Sequence, residues 1–130
     1  MIVLDASVVL DIVTGVPIGK DIVSRIAAMD DEFVAPEIMD LEVLQALRRQ
    51  CRLERLTSDR ANAAVRILEA LPVERLSHRM LSARIWQLRD NATAYDAAYV
   101  ALAEVMSAPL WTRDRKFHGV PGHAAQLVVI

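Results

Sequence analysis

Cysteine is almost missing from this chain: Cys51 is the only one in 130 residues. That excludes an internal disulfide framework and a cysteine-rich zinc site. Set near Leu44, Leu47 and Leu53, the thiol reads as a buried structural group. Glycine is scarce too, at four residues. Neither a GxxxxGK[ST] loop nor a GxGxxG turn occurs, which argues against P-loop NTPases and dinucleotide enzymes. No apolar run approaches the roughly 20 residues of a membrane-spanning helix. The start, Met1-Ile2-Val3-Leu4-Asp5, has no basic lead and reaches a carboxylate at once. It is unlike a secretory signal, so the expected location is the cytoplasm. Charge of one sign is also lacking: 15 Lys and Arg against 17 Asp and Glu leave a formal net charge of −2. The chain as a whole is then neither a basic nucleic-acid coat nor a polybasic membrane binder. A local basic patch beside an acidic site remains compatible with that balance.

What the chain does have is apolar material. Hydrophobic residues make up 54% and charged residues 25%, far too apolar a balance for disorder. The length suits one domain, residues 1–130. Folding at this length removes about two thirds of the unfolded chain's surface from water. Short apolar runs at 2–4, 33–35, 73–76, 110–112 and 127–130 alternate with longer amphipathic segments. Runs without polar alternation fit parallel strands covered on both faces. Only 73–76 contains charges, Glu74 and Arg75, which suggests an edge strand. Helices are expected over 7–14 and 18–29, 37–53 and 57–70, and 77–90 and 94–107. Thr57 is the expected N-cap of the fourth, whose Ala61, Ala64, Val65 and Leu68 share one face. The order predicts an α/β sandwich with a mostly parallel sheet of roughly five strands and right-handed crossovers.

In such folds ligands bind at the carboxyl ends of the strands, so the polar residues delivered there carry the functional question. Asp5 ends the first strand and Asp114 follows the fourth, after Thr112-Arg113. Asp5 reads equally as a helix N-cap, although Ser7 could fill that role and free Asp5 for the crevice. Asp96 has capping-box spacing from Thr93, and the helix dipole favours an acid there. Yet the helix it opens is almost wholly apolar, and a carboxylate at the mouth of a buried helix needs a partner or a metal. Glu42 lies at the margin of an apolar helical arc and has no i±3 or i±4 ion-pair partner. A solvated glutamate is the plain alternative. Asp40 falls among apolar positions and reads as a first-turn acid. If Asp5, Glu42, Asp96 and Asp114 converge, they repel one another and raise some carboxyl pKa values. A divalent cation relieves this, and all-oxygen ligands favour Mg²⁺ or Mn²⁺ over zinc. Such a site suits phosphodiester hydrolysis.

These stretches resemble a known family. Ile2-Val3-Leu4-Asp5-Ala6-Ser7-Val8-Val9-Leu10 resembles the opening of PIN-domain ribonucleases, specifically the VapC toxins of bacterial toxin–antitoxin pairs. Ala35-Pro36-Glu37 through Glu42-Val43-Leu44-Gln45-Ala46-Leu47-Arg48-Arg49 resembles their second motif. Tyr95-Asp96-Ala97-Ala98-Tyr99-Val100-Ala101-Leu102-Ala103 resembles the third, the most specific, and Pro109 through Phe117 the fourth. The match runs end to end in the same order. It implies the three-layer α/β/α PIN sandwich and an acidic quartet at Asp5, Glu42, Asp96 and Asp114, with supporting hydroxyls at Ser7 and Thr112. It further implies that Asp5 and Asp96 are the most direct Mg²⁺ ligands, with Mn²⁺ as a substitute. Its implied substrate is single-stranded or looped RNA, and its implied partner a small VapB-like antitoxin that wraps the toxin. Trp111, and Asn91-Ala92-Thr93-Ala94 before Tyr95, depart from the family pattern without touching the quartet.

Arg113, Arg115 and Lys116 stand beside Asp114 and are candidates to hold RNA phosphates, the alternative being a solvated loop. His118 and His123 flank a Pro-Gly turn at a spacing that does not suit a metal pair. A homodimer is expected, with antitoxin contacts over roughly 37–70. The leading expectation is a Mg²⁺-dependent endoribonuclease toxin, against a catalytically idle binding module of the same fold. A phosphoacceptor receiver domain does not fit: it needs paired acids after strand one, and an Asp where strand three carries Glu74 and Arg75.

Overall fold

Strand β1 (Ile2–Leu4) lies at the centre of a five-stranded sheet in the computed structural model, which describes residues 1–130. The others are β2 (Phe33–Pro36), β3 (Val73–Leu76), β4 (Leu110–Thr112) and β5 (Leu127–Val129), in the order β3-β2-β1-β4-β5. Every adjacent pair is parallel, so the sheet is parallel throughout rather than mostly so. The residues of β1, β2 and β4 are all buried. Successive strand residues point to opposite faces, so continuous burial means that both faces are covered.

The covering helices are α1 (Ala6–Thr14), α2 (Pro17–Ala27), α3 (Ile38–Arg52), α4 (Ser58–Ala70), α5 (Ser82–Gln87) and α6 (Ala94–Met106). Helix α1 packs against α2, α3 and α4, whereas α5 packs on α6 and α6 lies along β1 and β2. None is long and apolar enough to cross a membrane. The uninterrupted burial of Ala97 through Ala103 confirms that α6 is an internal helix. Thr57 caps α4 as expected, its hydroxyl accepting the Arg60 N–H at 3.3 Å.

Three local expectations need correction. The stretch 77–90 is not one helix but a 3₁₀ turn over His78–Leu81 followed by the short α5. The Ser77 hydroxyl accepts the Arg79 N–H at 3.3 Å, and the Ser82 hydroxyl donates to the Arg79 carbonyl at 2.9 Å. Such side-chain bonds to nearby backbone compete with a regular helical ladder. Helix α1 begins at Ala6, so Ser7 lies inside it and Asp5 occupies the cap position. Cys51 is only half-buried, at the last turn of α3, although it still packs against the core.

The charges in β3 suit its place at the sheet edge. Arg75 forks onto Asp40, in the first turn of α3, with contacts of 3.1 and 3.2 Å. It also donates to the carbonyls of Leu68, Leu71 and Val73 at 2.7, 2.9 and 2.6 Å. One guanidinium thus ties α3, the end of α4 and the edge strand together. On α6, Glu104 accepts from Arg84 Nε and Nη2 at 2.7 and 2.9 Å and from the Ala124 N–H at 2.9 Å. Arg84 also reaches the Gly122 carbonyl at 2.7 Å, which pins the segment leading into β5.

Helices α1 and α2 meet backbone to backbone. A Cβ placed on Gly19 would lie 2.0 Å from the Asp11 carbonyl oxygen, which no rotamer change relieves. Gly19→Ala should therefore destabilise the fold by about 1–3 kcal/mol or more, the range for overpacking. Gly119→Ala, where an added Cβ meets nothing within 4 Å, should stay within about 0.5 kcal/mol of wild type. Urea unfolding of the two variants checks both.

Candidate active site

The sheet order locates the crevice. The chain leaves β1 toward β2 and β3 on one side and returns to β4 and β5 on the other. The carboxyl ends of β1 and β4 therefore flank the switch point where open parallel sheets bind ligands. Leu4 pairs with Trp111, so Asp5 and Thr112 emerge side by side.

Asp5 is 7% exposed. Its carboxylate does not cap α1, although it occupies the cap position. The Asp5 backbone carbonyl accepts the Val8 and Val9 N–H groups instead. Both side-chain donors converge on one oxygen: Ser7 Oγ donates to Oδ2 at 2.5 Å and Thr112 Oγ1 at 2.7 Å. Each hydroxyl also accepts a backbone N–H, Ser7 from Arg113 at 3.0 Å and Thr112 from Asp114 at 2.9 Å. The loop after β4 is thereby stitched to the end of β1. Burial raises the Asp5 pKa, and the Ser7 and Thr112 bonds offset only part of that.

Glu42, from α3, is half-buried and accepts a hydrogen bond from the Tyr99 hydroxyl of α6. Its pKa is raised by burial first, against the lowering effect of the Tyr99 bond. The neighbouring charges of Asp5 and Asp96 push it further up. Tyr99 is fully buried, and burial together with Glu42 lifts its phenol far above the ordinary value. Tyr99 lies in the third motif, and no expectation from the sequence attaches a role to it. The available signal is its spacing: it sits three residues after Asp96, on the same side of an internal helix, and a buried phenol needs a partner.

Asp96 and Asp114 share one cation. Lys116 Nζ lies 3.0 Å from Asp96 Oδ1 and 3.2 Å from Asp114 Oδ2. Burial pulls the Lys116 pKa down, but its bonds to Asp96 and Asp114 outweigh that and leave it above the ordinary lysine value. Asp114 Oδ1 meanwhile accepts the Lys116 backbone N–H at 2.8 Å and opens the 3₁₀ turn Arg115–Gly119. The other two basic candidates differ. Arg113 lies 3.0 Å from Asp11 Oδ2 and donates to the Ile130 carbonyl at 2.8 Å. Its approach to Asp11 is a charge contact without hydrogen-bond alignment, since that buried oxygen takes no hydrogen bond. Arg115 is exposed and has no ion pair or side-chain hydrogen bond within the chain.

The four acids therefore surround one crevice: Asp5 and Asp96 both push the Glu42 pKa up, and Asp96 and Asp114 meet around Lys116. No three of them are drawn together tightly enough to hold a metal ion in this arrangement. The donor set nonetheless suits a hard divalent cation. All four groups are carboxylates, and Asp5 is buried with its hydroxyl donors confined to Oδ2, so Oδ1 is left for another positive partner.

The PIN domain family model matches residues 2–122, and the chain belongs to that family. Ribonuclease VapC1 of Mycobacterium tuberculosis is 36% identical over 129 residues, which cover 98% of this chain and 96% of that protein. The fold is shared with VapBC2 from Rickettsia felis bound to a DNA fragment from their promoter, with a TM-score of 0.72 at 14% identity, covering 99% of this chain and 98% of the other. A toxin–antitoxin complex from Klebsiella pneumoniae gives 0.66 at 19% identity, covering 99% and 97%.

Two predictions follow from the local geometry. Thr93 accepts the Asp96 backbone N–H at 3.1 Å, while the Asp96 carboxylate turns to Lys116. The cap therefore survives substitution at 96. Thr93→Ala should cost about 1 kcal/mol, whereas Asp96→Asn should leave metal-free stability nearly unchanged in thermal melts. Asp5 gives a pH signature. Its folded pKa lies above the unfolded value, so its charged form destabilises the fold above the folded pKa. That cost disappears as pH falls toward the unfolded value. In EDTA at pH 7, Asp5→Asn should match or exceed wild type by about 1 kcal/mol. The difference should shrink through the window between the raised and the ordinary carboxylate values. An advantage that grows with acid would contradict the assignment.

Proposed function

We propose that this chain is a divalent-metal-dependent endoribonuclease, the toxin of a toxin–antitoxin pair, that cleaves RNA phosphodiester bonds at Asp5, Glu42, Asp96 and Asp114. The carrying observation is the buried Asp5 carboxylate, held by Ser7 and Thr112 at the sheet's switch point with three further acids around it. The ribonuclease name of a relative matched over almost the whole chain supports the reaction class.

Asp5 and Asp96 are the proposed direct ligands of Mg²⁺, or of Mn²⁺ in its place, with Glu42 and Asp114 completing the acidic surround. The bound cation supplies Lewis acidity toward the scissile phosphate and an attacking water. The chain's own groups do the rest. Ser7 and Thr112 fix the Asp5 rotamer so that its free oxygen faces the crevice. Tyr99 holds Glu42 against the repulsion of Asp5 and Asp96 and keeps it at the crevice wall. Arg115, which has no internal partner, is available to an RNA phosphate at the rim. Arg113 is already engaged by Asp11 and Ile130, so its part in RNA binding requires that contact to open.

The proposed partner is a small antitoxin, and the proposed state a cytoplasmic homodimer. Supporting this, α3 and α4 leave Leu41, Leu44 and Ile67 exposed, within the 37–70 surface expected to receive the antitoxin. An apolar groove lined by Ile38, Ile85, Trp86 and Tyr95 opens beside Glu42. An amphipathic segment fits such a surface.

Purified protein incubated with single-stranded RNA should cleave in Mg²⁺ and stop in EDTA. Asp5→Asn and Asp96→Asn should each lose about 10²-fold or more in rate, as when a charge-stabilising element is removed. Glu42→Gln should be similarly severe and Asp114→Asn milder. Wild-type turnover by Asp5→Asn would overturn its role, and cleavage unaffected by EDTA would overturn the metal.

A further inference from the structure

Lys116 is the one cation placed among the four carboxylates. Its ammonium touches Asp96 and Asp114, and its charge is felt by Asp5 and Glu42. It comes from the loop after β4 and stands over the face of the buried Phe117 ring, 5.6 Å from the centroid. Its side chain remains 52% exposed, so an outward path is open. Nothing else in the chain bonds Nζ. The hold rests on these two charged contacts, and the loop's shape does not depend on it, since the Asp114 carboxylate meets the Lys116 backbone N–H whatever the side chain is.

We propose that Lys116 is a tethered counter-ion that competes with the divalent cation for the acidic crevice and must swing out before Asp96 and Asp114 can close on a metal. This rests on the metal-site reading above. It accounts for the spread of the acids: no three of them are drawn together to hold an ion while the ammonium bridges Asp96 and Asp114. Two cations cannot share the same carboxylate oxygens at contact distance without strong repulsion. The monovalent charge partly neutralises the crevice when metal is scarce. A divalent cation then has to displace a group whose effective concentration is set by a short side chain. Metal affinity is lowered accordingly, and the displaced ammonium is set free at the rim.

Calorimetric titration of the full-length, metal-free protein with Mn²⁺ at fixed pH and ionic strength tests this. Lys116→Met should bind Mn²⁺ about tenfold more tightly than wild type, within the range of coupling between two ligands of one site. Lys116→Gln should behave the same way. Lys116→Arg, which restores a cation of similar reach, should return to near wild-type affinity. Mn²⁺ should raise the melting temperature of the Met and Gln variants more than that of wild type or the Arg variant. Equal or weaker binding by both neutral variants, with wild type binding normally, overturns the competition and leaves the metal site standing. No Mn²⁺ binding by any of the four proteins overturns the metal site as well.

Discussion

A carboxylate buried at the end of the central strand has to be met by donors from whatever surrounds it, and Asp5 recruits one from close by in the chain and one from far along it. Ser7 comes from the first turn of α1 and Thr112 from the end of β4. Their second hydrogen bonds, to the N–H groups of Arg113 and Asp114, fix the path of the next loop. That loop carries Lys116 to Asp96. The pairing of β1 with β4, the position of α6 and the crevice between them are thus coupled through one buried charge.

The electrostatic balance around it is uneven by design of the fold. Burial acts most strongly on Asp5 and Glu42, whose pKa values rise. Asp96 and Asp114 share a lysine. Tyr99 stabilises the charged form of Glu42 while being held firmly protonated itself. A cavity lined by unlike carboxylates of this kind is asymmetric before anything binds, and the two sides of an incoming cation would meet different fields.

The sequence carried most of the fold and much of the crevice, for identifiable reasons. Strand runs were legible because burial on both faces leaves an unbroken apolar word, such as Ile2-Val3-Leu4 or Leu110-Trp111-Thr112. The edge position of β3 was legible from Glu74 and Arg75. Helix 77–90 was misread because Ser77 and Ser82 divert backbone bonds locally, an effect that periodicity does not register. Asp5 and Ser7 both stand as cap candidates in the sequence; the helix starts one residue earlier than its apolar pattern suggests, which leaves Ser7 inside the first turn as a donor to Asp5. The partners of Tyr99 and Lys116 are illegible in the sequence, since Glu42 and Asp96 lie 57 and 20 residues away and only the fold brings them together. Pairwise contacts at such separations leave no periodic trace in one sequence.

The bond between Thr112 and Asp5 spans 107 residues. Synthesis proceeds from the amino end and folding can begin before it is complete. The first strand and its carboxylate therefore exist long before the strand that secures them. Until residues 110–116 have emerged, Asp5 lacks one of its two hydroxyls and the crevice lacks one wall. A chain interrupted short of β4 would retain Asp5, Glu42 and Asp96 but lack Thr112, Asp114 and Lys116, so the crevice cannot close around its acids until the fourth strand has paired with the first.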